Sequence, residues 1–246
     1  MSPPWLIELP TCASTNSWAQ ERLATLAHGS CVYTRRQSAG RGQYDRSWCS
    51  VPGVLTCSFV LHLPPSPHTP RLALVAGLCV AHAVEDLLPG TRVMLKWPND
   101  CHCRGRKLAG ILCEGRSGRD SHSLCVGIGC NIDPDWDAAG VDPSDFATAP
   151  IALSELGAAP QPLRLIVALR RYLLEGAGLL AADAWPQVLS QIRARDALDG
   201  RSLQVVDATG AVRHGTGAGI ADDGALLVSA SDGGQYRLDS GSVRAL

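Results

Sequence analysis

The sequence predicts an α+β fold, with one domain of mixed β-sheet packed with helices and then a small all-β unit. Three observations carry this. Apolar runs of strand length (53–62, 107–114 and 123–131) are interleaved with runs of helical length (69–88 and 162–178), so both element types share one unit. The longest helical run is apolar nearly all round and must be buried against a sheet. From Gly200 onward the texture changes to short β-rich runs separated by Gly and Asp turns, as in a small barrel of about fifty residues. The domains are expected at 1–196 and 197–246.

Taken in order, residues 5–9 (WLIEL) read as a short strand. Ser14 or Thr15 then caps a helix expected to run to Ala27, with Trp18, Leu23 and Leu26 on its apolar side and Gly29 ending it. A strand over 30–36 leads into a glycine-bearing loop, QSAGRGQYDRSW, from Gln37 to Trp48. After the strand over 53–62, Thr69-Pro70 opens the long helix and Pro89-Gly90 stops it. Strands follow at 92–97, 107–114 and 123–131, with 98–106 expected as a hairpin loop. Beyond Pro134 the chain is irregular, with helices expected near 150–157, 162–178 and 185–195. The all-β unit is built from Ser202–Val206, Val212–Ile220, Ala225–Ser229 and Gln235–Leu238.

Composition excludes several classes of function. At 246 residues, 46% hydrophobic and 18% charged, the chain is an ordinary globular one. It has no apolar run approaching ~20 residues and no charged start followed by an apolar stretch, so a membrane span or secretory leader is not expected. The ten cysteines run from Cys12 to Cys130 without a CxxC pair, which argues for reduced structural thiols in a cytoplasmic protein rather than a zinc site or disulfide framework. A net charge of −1 implies no broad nucleic-acid surface. The positive charge is instead local, at Arg35, Arg36, Arg41 and Arg46 and again at Arg92, Lys96, Arg104, Arg106 and Lys107. Such patches on a neutral chain suit a small anionic ligand.

Of 22 basic residues, 20 are Arg and two are Lys, and those two, Lys96 and Lys107, fall in one segment. Arg is a planar fork and Lys a compact point charge, so the two do not substitute for each other at a tight site. Three segments gather polar residues between strands, two of them with Gly. In Gly40-Arg41-Gly42, glycines flanking an arginine let backbone amides and a guanidinium approach an anion together, although such turns are common in loops. Trp48 either stacks on a base or packs in the core. Lys96-Trp97-Pro98-Asn99-Asp100 crowds polar groups into a proline-fixed turn. In Lys107-Leu108-Ala109-Gly110-Ile111-Leu112, the glycine permits close approach to the backbone, or else marks a bulge beside an edge lysine.

QSAGRG with its following Trp, then KWPND, KLAGILCE and GIGCNID, in this order and spacing, resemble the catalytic domain of biotin protein ligases. Ser14-Thr15-Asn16 matches the start of that domain, and the tail GIADDGALLV…SGSVRAL resembles the family's SH3-like C-terminal domain. The resemblance implies a class II synthetase-like fold. It also implies a form without the N-terminal helix-turn-helix of repressor-type members.

By that resemblance, biotin is activated with ATP and Mg²⁺ to biotinoyl-5′-AMP and passed to a lysine of a biotin carboxyl carrier protein. Neither DNA nor membrane is an expected partner, and the chain is expected as a monomer or weak homodimer. Ser14, Thr15, Asn16, Gln37, Gly40, Arg41, Gly42, Gln43, Lys107 and Gly110 are implied on the biotin side. Arg41, Trp48, Lys96, Asn99 and Asn131 are implied on the nucleotide side. Arg41 and Lys107 would hold the carboxylate and α-phosphate, and Asp100 would assist deprotonation of the acceptor lysine. No residues are implied as metal ligands.

One departure stands out. Where many members read GRGRRG, this loop reads Gly40-Arg41-Gly42-Gln43-Tyr44-Asp45, and faster escape of the adenylate is expected. The alternatives are a lipoate or octanoate transferase of the same superfamily, a regulator that binds the adenylate without turnover, and a structural β adaptor.

Overall fold

A computed structural model of the chain describes residues 3–44, 46–207 and 209–246. Asp45 of the glycine-bearing loop therefore lies outside the described residues. Seven strands form the first sheet: β1 (Leu6–Leu9), β2 (Cys31–Thr34), β3 (Val54–Leu63), β4 (Met94–Lys96), β5 (Asp100–Cys103), β6 (Arg106–Ser117) and β7 (His122–Asn131). Their spatial order is β1-β2-β3-β7-β6-β5-β4. β1 and β2 are parallel and the remaining pairs antiparallel, so the sheet is mixed, as expected.

Side-chain alternation divides this sheet into two chemically different faces. Leu55, Cys57, Phe59 and Leu61 of β3, with Val126, Ile128 and Cys130 of β7 and Ala109 and Ile111 of β6, join one apolar core. The helices α2 (Leu72–Leu87), α3 (Pro162–Ala181) and α4 (Trp185–Arg193) share that core. Each large side chain fully buried there contributes about 1.5–3 kcal/mol. The other face carries the intervening residues Thr56, Ser58, Gly127, Gly129, Gly110 and Leu112. These are mostly small or polar, and they leave room for a cavity. Its far end is closed by α1 (Thr15–Gln20), whose Ala19 packs with Leu23, Val32, Val60 and Cys125.

Three local expectations need correction. First, α1 stops at Gln20 rather than Ala27. The next segment tightens into i→i−3 turns, Arg22 to Ala19 and Leu23 to Gln20, which tuck Leu23 under the sheet, while His62 Nε2 meets the Leu26 carbonyl at 2.8 Å. Second, 98–106 is not one hairpin loop, because Asp100–Cys103 is a strand paired on both sides. Its inward residues are Cys101 and Cys103, 0% and 1% exposed, and their polar neighbours obscured the alternation in the sequence. Third, near 150–157 there is only a 3₁₀ turn, Leu153–Glu155, between Pro150 and Gly157.

The second sheet has the order β11-β10-β9-β8-β12. It comprises β8 (Ser202–Asp207), β9 (Val212–Ile220), β10 (Leu226–Ser229), β11 (Gln235–Leu238) and β12 (Gly241–Ala245). All its pairs are antiparallel. The Trp97 indole N–H donates to the Gly224 carbonyl (3.1 Å) and the Arg193 Nε to that of Ile220 (2.7 Å), stitching the β9–β10 turn to the first sheet and its helices. All ten cysteines are unpaired. Among the described residues no helix is long and apolar enough to cross a membrane.

Candidate active site

The cavity opens on the polar face of the first sheet, between the Gln37–Trp48 loop, the β4–β5 turn and the start of β12. At its closed end sits a cluster of neutral polar groups. Ser14 caps α1, its hydroxyl accepting from Ser17 N–H (3.4 Å). The next two residues are thereby aimed at the sheet. The Thr15 amide and hydroxyl both donate to Gln37 Oε1, at 2.7 and 3.1 Å. Ser58 Oγ lies 2.8 Å from the Thr15 hydroxyl and 2.7 Å from Asn16 Oδ1. Thr15, Asn16 and Ser58 are buried. Gly127 makes this possible, since a Cβ there would lie 2.5 Å from Asn16 Oδ1.

The opposite end is cationic. Lys107 Nζ bonds Asp100 Oδ1 at 2.7 Å, and Lys96 Nζ stands 4.0 Å from the other oxygen of the same carboxylate. One acidic residue thus holds both lysines of the chain. Burial pulls the Lys96 ammonium pKa down, against the opposing pull of Asp100. His102, on the same strand face as Asp100, is 6% exposed, and burial together with Lys96 and Lys107 pulls its pKa down to about 4. It is therefore neutral at pH 7. Asn99 fixes the turn itself, donating from Nδ2 to the Ile111 carbonyl (2.6 Å) while its own carbonyl accepts from Ile111 N–H (2.9 Å). The Trp97–Pro98 peptide in this turn is cis.

Trp48 lies between the two ends. A Cβ on Gly129 would fall 2.1 Å from its indole, and one on Gly110 would fall 3.0 Å away. The ring therefore rests on a floor of two glycines, with Lys107 Nζ 5.5 Å from its centroid. The indole N–H is buried without a partner among the described residues, leaving a donor free inside a binding cavity. Trp48 also explains Gly40. The loop closes through Trp48 N–H to the Gly40 carbonyl (2.9 Å), and a Cβ on Gly40 would meet the Trp48 carbonyl at 2.3 Å.

Most of the residues singled out in the sequence meet here. Ser14, Thr15, Asn16, Gln37, Arg41, Gly42, Gln43, Trp48, Lys96, Asn99, Asp100, Lys107 and Gly110 all line the cavity. Two do not. Gly40 acts behind it through loop closure. Asn131 is buried, and its amide donates to the carbonyls of Lys107 (3.2 Å) and Ile151 (3.1 Å), bracing the start of β6.

Sequence reasoning missed Ser58, Glu114, the spacing roles of Gly127 and Gly129, and Tyr44, whose hydroxyl accepts from Gly241 N–H at 2.7 Å. Two signals pointed to some of them. Glycines two apart in a strand leave one face open, and Gly110, Leu112 and Glu114 share a face by period-two counting.

Comparison with known proteins identifies the family. The model of the biotin/lipoate A/B protein ligase family matches residues 8–131. Biotin–[acetyl-CoA-carboxylase] ligase of Paracoccus denitrificans is 32% identical over 226 residues, 90% of this chain and 93% of that protein. Chloroplastic biotin–protein ligase 1 of Arabidopsis thaliana is 34% identical over 134 residues, and the match spans 52% of this chain but only 36% of that relative's length. Among solved structures, biotin protein ligase from Aquifex aeolicus in complex with biotin and ATP superposes with a TM-score of 0.82 at 24% identity, covering 98% of this chain and 99% of the other. That last likeness is one of fold. With the family model and a relative matched nearly end to end, the chain belongs to the biotin/lipoate A/B protein ligase family.

Proposed function

We propose that this chain is an ATP-dependent biotin–protein ligase, forming biotinoyl-5′-AMP and transferring biotin to a lysine of a biotin carboxyl carrier protein. The observation that carries this is the cavity's polarity: the Thr15–Asn16–Ser58 cluster of neutral donors and acceptors at the closed end, Lys96 and Lys107 at the opposite one. A molecule with a ureido head and a carboxylate tail is complementary to that order. The Thr15–Asn16–Ser58 cluster offers amide and hydroxyl groups that a ureido ring can join, whereas a lipoyl or octanoyl chain, apolar at its far end, would gain no hydrogen bond there.

A carboxylate does not acylate an amine directly at neutral pH, because its oxygen leaves poorly. In the first step a biotin carboxylate oxygen attacks the α-phosphorus of ATP. A P–O bond to biotin forms, the α–β anhydride bond breaks, and pyrophosphate leaves. Two anions meet in this step, so the protein must offset their repulsion and align them. In this reading Lys107, anchored by Asp100, and Arg41 take that role. Asp100 then acts first as the group that positions Lys107. In the second step the neutral ε-amine of the acceptor attacks the acyl carbon, the amide forms and AMP departs, while the Gln37–Trp48 loop and the β4–β5 turn keep water out.

Among the described residues no group of three or more His, Cys, Asp or Glu converges on a metal position. Mg²⁺ is assigned to the ATP polyphosphate, as part of the substrate, because it is a hard cation that binds phosphate oxygens. The boundary at 196/197, in the segment between α4 and β8, and a cytosolic setting suited to ten free thiols belong to the same proposal.

The test is exchange of labelled pyrophosphate into ATP, with biotin, lipoate and octanoate run in parallel. Exchange with biotin alone is expected. Exchange with lipoate or octanoate and not biotin would reverse the assignment within the family, and none with any acid would point to a binder without turnover.

A further inference from the structure

Arg41, the arginine of the glycine-bearing loop, is already paired. Its two terminal nitrogens donate to the two oxygens of Glu114, NH2 to Oε1 at 2.6 Å and NH1 to Oε2 at 3.1 Å. This is the parallel fork geometry by which a guanidinium takes a carboxylate. Glu114 Oε2 also accepts from Asn16 Nδ2 (3.0 Å) and Gln20 Nε2 (2.6 Å). Asn16 Nδ2 in turn donates to the Leu112 carbonyl (3.1 Å). Glu114 shares the cavity-facing side of β6 with Gly110 and Leu112 but stands beyond the cavity wall. The pair, with Arg41 NH1 also donating to Ser17 Oγ (3.3 Å), holds the Arg41 head between α1 and β6, the side chain of Arg41 45% and of Glu114 24% exposed.

We propose that Glu114 is an internal stand-in for the substrate carboxylate. It holds Arg41 in a carboxylate-shaped bond until biotin arrives, and then yields the guanidinium to the substrate. This inference rests on the proposed biotin reading. Two features support exchange rather than a fixed brace. The Arg41 side of the pair is 45% exposed, so water can take up the guanidinium as the bond opens. Glu114 also keeps two other donors, Asn16 and Gln20, so its charge stays hydrogen-bonded after Arg41 leaves. Glu114 is thus a positioning residue. It sets what biotin must displace, and through Asn16 it connects the carboxylate end of the cavity to the neutral polar end.

The decisive experiment compares calorimetric binding of biotin and of its neutral primary amide to the wild-type protein and to Glu114→Gln, with thermal unfolding confirming that each is folded. Glu114→Gln is expected to tighten biotin by about three- to tenfold while moving the amide by less than about twofold, since only the carboxylate competes for Arg41. Glu114→Asp, which keeps the charge but shortens its reach, is expected to shift selectivity the same way by a smaller factor and serves if the Gln variant does not fold. Weaker biotin binding, or equal shifts for the two ligands, would overturn the proposal and make Glu114 a fixed brace for Arg41. If folded wild-type protein binds neither ligand, the biotin reading fails and this inference fails with it.

Discussion

The two loops that frame the cavity differ in how they are held. The β4–β5 turn is short and lies between paired strands. Its Asn99 is locked to Ile111 by two hydrogen bonds, Trp97 is 4% exposed and bonded to Gly224, and Asp100 grips Lys107. The Gln37–Trp48 loop is anchored by backbone only at its start, where Ser38 and Ala39 N–H donate to the Cys12 and Ala13 carbonyls; from Gly40 to Trp48 it closes on itself, through Gly42 to Arg46 and Trp48 to Gly40. That later part reaches the rest of the molecule through side chains, Arg41 to Glu114 and Tyr44 to Gly241. Groups that must align two anions gain from being fixed in advance. Groups that must let substrates in and keep an intermediate from leaving gain from contacts that can be exchanged. The fixed turn thus suits chemistry, and the adaptable loop suits entry and retention.

Variants can break this contrast, beginning with the largest effect. Lys107→Ala should slow adenylation by roughly 100- to 1000-fold, the usual loss of a preorganised charge donor. Near-normal pyrophosphate exchange by that variant would remove the fixed side from the chemistry.

The next effect is on stability and comes from His102. Its folded pKa, about 4 against 6.5 when free, means that acid must charge a buried neutral ring. The unfolded chain binds the proton first, so stability is intact above pH 6.5 and declines as pH falls toward 4, by on the order of 3 kcal/mol in total. Denaturant melts of His102→Leu should show a flatter pH profile across that window. An unchanged slope would place the acid sensitivity elsewhere.

Gly129→Ala would set a methyl group 2.1 Å from the Trp48 indole and so force the ring off its floor, at about 1–3 kcal/mol. We expect a raised KM in pyrophosphate exchange, with Gly110→Ala, whose contact is 3.0 Å, less affected. Equal kinetics in both would show that Trp48 is not seated there during turnover.

The smallest effects belong to the adaptable loop. Tyr44→Phe removes one hydrogen bond worth about 1 kcal/mol, so biotinoyl-AMP released without acceptor should rise by at most about fivefold. Gln43→Arg should lower that release, and retention equal to the parent's would discount the missing charge.

How much of this was legible beforehand can be argued residue by residue. The two lysines were picked out by composition and prove to share one carboxylate. KWPND and KLAGIL carried their own strand-end geometry, because proline, asparagine and glycine impose local conformations whatever surrounds them. Asn131 lies behind the cavity wall, bonded to the Lys107 and Ile151 carbonyls, since a motif position does not say to which side of a strand an amide turns. The short strand β5 was hidden among turn-forming residues, and pairing with both neighbours decided it. Glu114 was quoted within its motif, yet its bond to Arg41 spans 73 residues of sequence and has no local signature.

The sequence by itself determined the main run of strands and helices, β5, β12 and the 150–157 segment apart, the division of chemistry between cysteine-lined core and lysine-bearing turn, and the family. These rest on spacing and residue type, which are local properties of a chain. Tertiary structure alone decided that Trp48 lies on Gly110 and Gly129, that Asn16 fits over Gly127, and that Arg41 is already paired with Glu114. Each depends on which strands become neighbours and which face a side chain takes. Those are fixed by burying the apolar face of the first sheet under its helices, a cooperative event in which no single segment carries the answer.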